Sequence, residues 1–87
     1  MDLQNYREQI DAIDSELLRL FKERMSVARQ IALYKKEHNL SVMDTAREKE
    51  KLAVVGEMAG KEFCSYVHTL YTTIFELSRA YQESIIT

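Results

Sequence analysis

The sequence predicts an all-α protein with three helices per chain, one long, one short and one of medium length, in an intertwined homodimer. Its 87 residues include no proline and only two glycines, Gly56 and Gly60, so few positions favour a turn. Apolar residues recur at alternating spacings of three and four along the first part of the chain, which is typical of a paired helix. The rest of so short a chain is too small to bury the apolar face of a helix of that length, which favours a partner chain.

The first helix is expected from about Leu3 to about His38, where the polar His38-Asn39 pair marks its end. At 1.5 Å per residue it would be roughly 50 Å long. Its apolar seam consists of Leu3, Tyr6, Ile10, Ile13, Leu17, Leu20, Val27, Ile31 and Tyr34. We expect this seam to pair with a second copy of the chain, the alternative being a helix of a larger hetero-assembly.

The second helix is expected to begin near Asp44, a favourable N-cap residue, and to run toward Gly60. The third carries apolar residues at helical spacing from Phe63 to Tyr81. Residues 1–87 are therefore predicted to form one domain.

Composition excludes several classes of function. The net charge of -2 gives no reason to expect nucleic acid as a partner, and no stretch is apolar enough to predict a membrane partner. Cys64 is the only cysteine, and His38 and His68 lie far apart, so neither an internal disulfide nor a metal site is predicted. The polar, acidic N-terminal sequence is unlike a secretory signal and predicts a cytoplasmic location.

Polar residues on the helix faces are the candidates for function. Arg24 lies in the apolar seam, where a cation needs an anionic partner, and no acidic residue shares the seam. Lys35 follows eleven positions later, nearly three turns, so both side chains project the same way from Cα atoms roughly 16 Å apart. A small anion bound between them would satisfy both charges.

The other two helices carry polar stripes of their own. Asp44, Arg47, Glu48 and Lys51 share a face of the second helix, and Ser78 and Gln82 lie one turn apart on the third. Each has an ordinary alternative as a solvated or salt-bridged surface group. Together with Arg24, they predict a polar cleft between helices.

These residues resemble the all-α (AroQ-class) chorismate mutases over nearly the whole chain. The matching positions are Arg7, Ile10, Ile13, Asp14, Leu17, Leu18, Leu20, Glu23, Arg24, Ala28, Ile31, Tyr34, Lys35, Val42, Asp44, Arg47, Glu48, Ser78 and Gln82. The most specific features are the eleven-residue spacing, the Asp-x-x-Arg-Glu block and the Ser-x-x-x-Gln ending. One departure is Ser41, where relatives often have a proline.

The resemblance implies a cofactor-free rearrangement of chorismate, a dicarboxylate, to prephenate, in a dimer with two equivalent sites. Arg24 and Arg7 would bind substrate carboxylates, and Lys35 and Gln82 would donate to the ether oxygen. Glu48, helped by Asp44, would accept from the ring hydroxyl. The remaining carboxylate and hydroxyl contacts would come from Arg47 and Ser78.

Helix geometry adds an expectation for Arg7. It precedes Arg24 by seventeen residues, roughly 25 Å along one helix, so the two cannot hold one small molecule within a single chain. Arg7 is expected to reach the partner's site. Two alternatives stay open: an isochorismate-pyruvate lyase on the same fold, and a non-enzymatic helical dimerisation module. The mutase could also be one portion of a longer, bifunctional polypeptide.

Overall fold

A computed structural model describes residues 2–87, in which the regular secondary structure is entirely α-helical. Helix α1 spans Leu3–Glu37 and helix α2 spans Thr45–Ile86. The expectation of three helices is therefore wrong in number, since the structure has two. The expected break at Gly60 is present as a kink inside α2, where the backbone has φ 79° and ψ 171°. Gly60 alone changes the direction of α2, so its two arms, residues 45–59 and 61–86, are joined without a loop.

The C-terminus of α1 lies where the polar residue pair predicts it. His38 is the C-cap, and Asn39 follows in the left-handed region at φ 57°. The backbone N–H of Asn39 donates to the Lys36 carbonyl at 3.3 Å, and that of Leu40 donates to the Lys35 carbonyl at 2.8 Å. These two bonds form a Schellman motif, which satisfies carbonyls that a helix end leaves without partners.

The start of α2 also agrees with the sequence prediction. Asp44 is the N-cap, and its Oδ1 accepts from the backbone N–H of Arg47 at 3.0 Å. In the connection between the helices, Val42 is buried at 7% exposure, and its carbonyl accepts from Lys35 Nζ at 3.0 Å. This bond fixes the connection against the last turn of α1.

The apolar core of the single chain is small. Its buried apolar residues are Ala28, Ala32, Val42, Val55 and Phe75. The seam of α1 is largely uncovered, with Leu3 61%, Ile10 55% and Leu17 59% exposed. The chain extends over 55 × 26 × 14 Å, so it is elongated along α1. Dimerisation stays a prediction, because only one chain is described.

Within residues 2–87, no helix combines the length and apolar character that a membrane crossing requires.

Candidate active site

A cleft of about 750 Å³ lies between the second half of α1 and the two ends of α2. Apolar side chains of both helices form its floor, including the buried Ala28 and Phe75. Its polar lining consists of Glu23, Arg24, Lys35, Asp44, Arg47, Glu48, Lys51, Ser78, Arg79 and Gln82. Seven of the eight predicted site residues are therefore brought together, although they come from three separate stretches of the chain.

The charge of the cleft is opposite in sign to that of the whole chain. Five cationic and three acidic side chains line it, a formal charge of +2, whereas the chain carries -2. Concentrating cations in a concave site with apolar walls raises the local concentration of anions. The cleft is thus suited to a small dianion.

Arg24 is the cleft cation that the seam pattern singled out. Its guanidinium carbon lies 5.9 Å from the centroid of the Phe75 ring, and Phe75 is only 7% exposed. No carboxylate of residues 2–87 forms an ion pair with Arg24. The ring supports one face of the guanidinium, and the planar fork is left able to bind a carboxylate in bidentate fashion.

Lys35 lies near the C-terminal end of α1, where it lines the same cleft. One of its three ammonium protons is used by the Val42 carbonyl at 3.0 Å. Two further protons can be donated to a ligand. The bond to the backbone limits the rotation of a side chain that is otherwise flexible.

Ser78 and Gln82 form the buried polar part of the cleft, at 8% and 7% exposure. Gln82 Nε2 donates to Ser78 Oγ at 3.0 Å, which fits their predicted position one turn apart. An amide nitrogen carries two protons, so the second can be donated elsewhere. Gln82 Oε1 is buried without a hydrogen-bond partner among residues 2–87.

Glu48 is held by a residue that the sequence reasoning missed. Arg79 Nη1 lies 2.5 Å from both Oε1 and Oε2 of Glu48, and the two side chains are 27% and 24% exposed. A signal for Arg79 was present, since Phe75, Ser78, Arg79 and Gln82 follow the spacing i, i+3, i+4, i+7 of one helix face.

Asp44 and Arg47 lie at the rim of the cleft. Asp44 uses Oδ1 to cap α2, while Arg47 Nη1 donates to Glu50 Oε1 at 3.2 Å. The side chains of Arg47 and Glu50 are 61% and 69% exposed, so their ion pair contributes little to stability and breaks readily. Arg47 is therefore free to exchange this partner for a ligand.

Arg7 is the one predicted site residue outside the cleft. It is exposed on the first half of α1, roughly 25 Å along the helix axis from Arg24. Within one chain, α1 continues as a helix between the two positions, so they stay apart. The partner-derived role of Arg7 stays a prediction.

Comparison with protein families gives a match to the model of chorismate mutase type II over residues 6–83. The chain belongs to the chorismate mutase type II family. The family match includes every residue that lines the cleft, and it includes Arg7. It confirms the resemblance seen in the sequence. Comparison of this chorismate mutase family member with curated proteins and with solved structures gives no match.

Proposed function

We propose that this chain is a chorismate mutase that rearranges chorismate to prephenate in aromatic amino-acid biosynthesis. The observation that carries the proposal is the cationic cleft, whose formal charge of +2 is equal in size and opposite in sign to that of a dicarboxylate. All residues that line the cleft lie within residues 6–83, the range that matches the family. The reaction is an intramolecular pericyclic (Claisen) rearrangement, in which a C–O bond breaks as a C–C bond forms. It needs neither a nucleophile nor a cofactor.

Catalysis then has two parts. The enzyme holds chorismate in the folded, reactive conformer, and it stabilises the negative charge that develops on the ether oxygen. Arg24 binds one carboxylate through its fork, supported by the Phe75 ring 5.9 Å away. This fixes the substrate relative to hydrogen-bond donors on both α1 and α2.

Two donors act on the ether oxygen in this proposal. Lys35 supplies a proton not used by Val42, and Gln82 supplies the Nε2 proton not used by Ser78. Both side chains are already restrained by those bonds, so little rotational freedom is lost when the transition state forms. Restrained donors stabilise the transition state better than mobile ones would.

The ring hydroxyl and the second carboxylate occupy the other wall. Glu48 accepts a hydrogen bond from the ring hydroxyl, with Asp44 beside it at the start of α2. Arg47 leaves its exposed pair with Glu50 to bind substrate, and Ser78 completes the hydroxyl contacts. Arg7 of a second copy supplies the remaining guanidinium.

The proposed homodimer rests on the uncovered seam of α1. Large apolar residues from Leu3 to Leu17 are each more than half exposed in the single chain, a patch that soluble proteins normally cover. Pairing two copies along this seam would bury it and bring the first half of one α1 toward the cleft of the other. The interface would then build the active site.

Product analysis tests the activity. The purified chain is incubated with chorismate and, separately, with isochorismate. We expect prephenate from chorismate; pyruvate with salicylate from isochorismate would indicate the lyase. No product from either would leave a non-enzymatic helical dimerisation module.

Subunit mixing tests the shared site. Arg7→Ala and Lys35→Ala are prepared separately, then unfolded and refolded together. Each parent is expected to be nearly inactive, whereas the mixed dimer regains one intact site from Lys35 of one chain and Arg7 of the other. If confirmed heterodimers stay inactive, Arg7 does not act across the interface.

A further inference from the structure

The Arg79–Glu48 pair differs from the other ion pairs of residues 2–87. It alone joins two side chains that both line the cleft, and it links residues 31 positions apart. Glu48 lies in the first turn of α2, whereas Arg79 lies in the arm beyond the Gly60 kink. The pair therefore ties the two arms of α2 together at the wall of the cleft.

We propose that Arg79 is a positioning residue that orients the Glu48 carboxylate and neutralises its charge. The inference rests on the proposed function, in which Glu48 accepts from the ring hydroxyl. Because Arg79 Nη1 lies 2.5 Å from each carboxylate oxygen, it fixes the direction in which the carboxylate points. Each carboxylate oxygen has two acceptor positions, so one on each remains for the substrate.

The charge of Glu48 explains why a cation is needed there. A carboxylate that faces a dianionic substrate repels it. Solvent screens this repulsion poorly here, because the Glu48 side chain is only 24% exposed. Arg79 offsets the charge of Glu48 without using the cations that face the substrate. Glu48 can then accept a hydrogen bond from the hydroxyl without weakening the binding of the carboxylates.

A double-mutant cycle tests this role. Steady-state kinetics with chorismate are measured for the unmodified chain, Arg79→Gln, Glu48→Gln and the double variant. We expect Arg79→Gln to lower kcat/KM by about 10- to 100-fold, the range for one charge-assisted contact. In the Glu48→Gln background, the same change should lower kcat/KM less than about threefold, because Arg79 acts through Glu48.

Two further variants separate positioning from folding. Arg79→Lys keeps the cation and should recover part of the activity that Arg79→Gln loses; it also replaces Arg79→Gln in the cycle if that variant fails to fold. Arg19→Gln is the matched control, since Arg19 pairs with Glu16 and Glu23 on α1 and does not line the main cleft. It should retain full activity.

The outcomes are distinct. Equal losses from the Arg79 change in both backgrounds would overturn the positioning role while leaving the mutase proposal intact. A loss that follows the fraction of unfolded protein in thermal melts, with no recovery in Arg79→Lys, would assign Arg79 to stability alone and overturn it as well. If the unmodified chain fails to convert chorismate, the proposed function fails, and the positioning role fails with it.

Discussion

Replacing Arg24 with leucine tests whether Arg24 serves the proposed active site or the stability of the α1 seam. The variant removes a guanidinium that contacts the Phe75 ring at 5.9 Å, near the outer limit of about 6 Å for such contacts, so its loss costs about 0.5–1 kcal/mol. Half-burying a leucine side chain in its place returns roughly 1 kcal/mol. The free energy of unfolding should therefore change by less than about 1 kcal/mol, a shift in Tm below about 8 °C.

Activity should fall far more than stability. In the proposed site, Arg24 makes two charge-assisted hydrogen bonds to a substrate carboxylate, each contributing about 1.5–3 kcal/mol. Losing both removes about 3–6 kcal/mol. Since 1.36 kcal/mol corresponds to a tenfold change in rate, kcat/KM should fall by roughly 10²- to 10⁴-fold.

The assay combines prephenate formation with thermal unfolding and measurement of oligomeric state. Arg29→Leu is the matched control, because Arg29 is an exposed arginine of α1 that does not line the cleft. We expect near-normal kcat/KM in the control and a folded but nearly inactive Arg24→Leu. An Arg24→Leu chain that unfolds or dissociates would assign Arg24 a structural role, and one with normal kcat/KM would remove Arg24 from the site.

Two further predictions concern Gln82 and the kink. Because the amide of Gln82 does not ionise, activity should vary little between about pH 6 and 8. The Gln82→Glu variant can donate a hydrogen bond only when its new carboxyl is protonated, so its activity should rise as the pH falls through the pKa of that carboxyl. A steep loss of activity in the unmodified chain over this pH range, without unfolding, would contradict the role of Gln82. Gly60→Ala should lower the free energy of unfolding by about 1–3 kcal/mol, because the φ of 79° and ψ of 171° at this position suit only glycine. Gly56→Ala is the control: its Cβ would lie 3.4 Å from Cys64 Sγ, so thermal unfolding should show a neutral or stabilising effect. Equal effects of the two alanines would show that the kink carries no strain for a side chain.

Helix ends were predictable because their signals are local. The His38-Asn39 pair and Asp44 act on backbone groups within a few residues, and the structure places the ends there. The number of helices was not predictable in the same way. A glycine such as Gly60 suits either a loop or a one-residue kink, and which one forms depends on how the following arm packs against α1.

Much of the cleft could also be anticipated. Arg24 and Lys35 were placed together by helix periodicity, and Ser78 and Gln82 by their spacing of one turn. Arg79 was not found, because its partner Glu48 lies 31 positions earlier, and helix periodicity cannot pair residues across a kink. Its position on the face of Ser78 and Gln82 was visible, but an arginine there is equally compatible with a solvated surface.

The two halves of α1 are in different surroundings, and this difference bears on the proposed dimer. One face of the second half, from Leu20 to Lys35, lines the cleft. The seam residues of the first half, from Leu3 to Leu17, are each more than half exposed within residues 2–87, and Arg7 lies on the same half. In a two-fold symmetric dimer, a contact from one first half to the other cleft is repeated in reverse. One interface would therefore complete two sites, and the apolar residues that stabilise the dimer would also fix the distance between Arg7 and the partner's substrate.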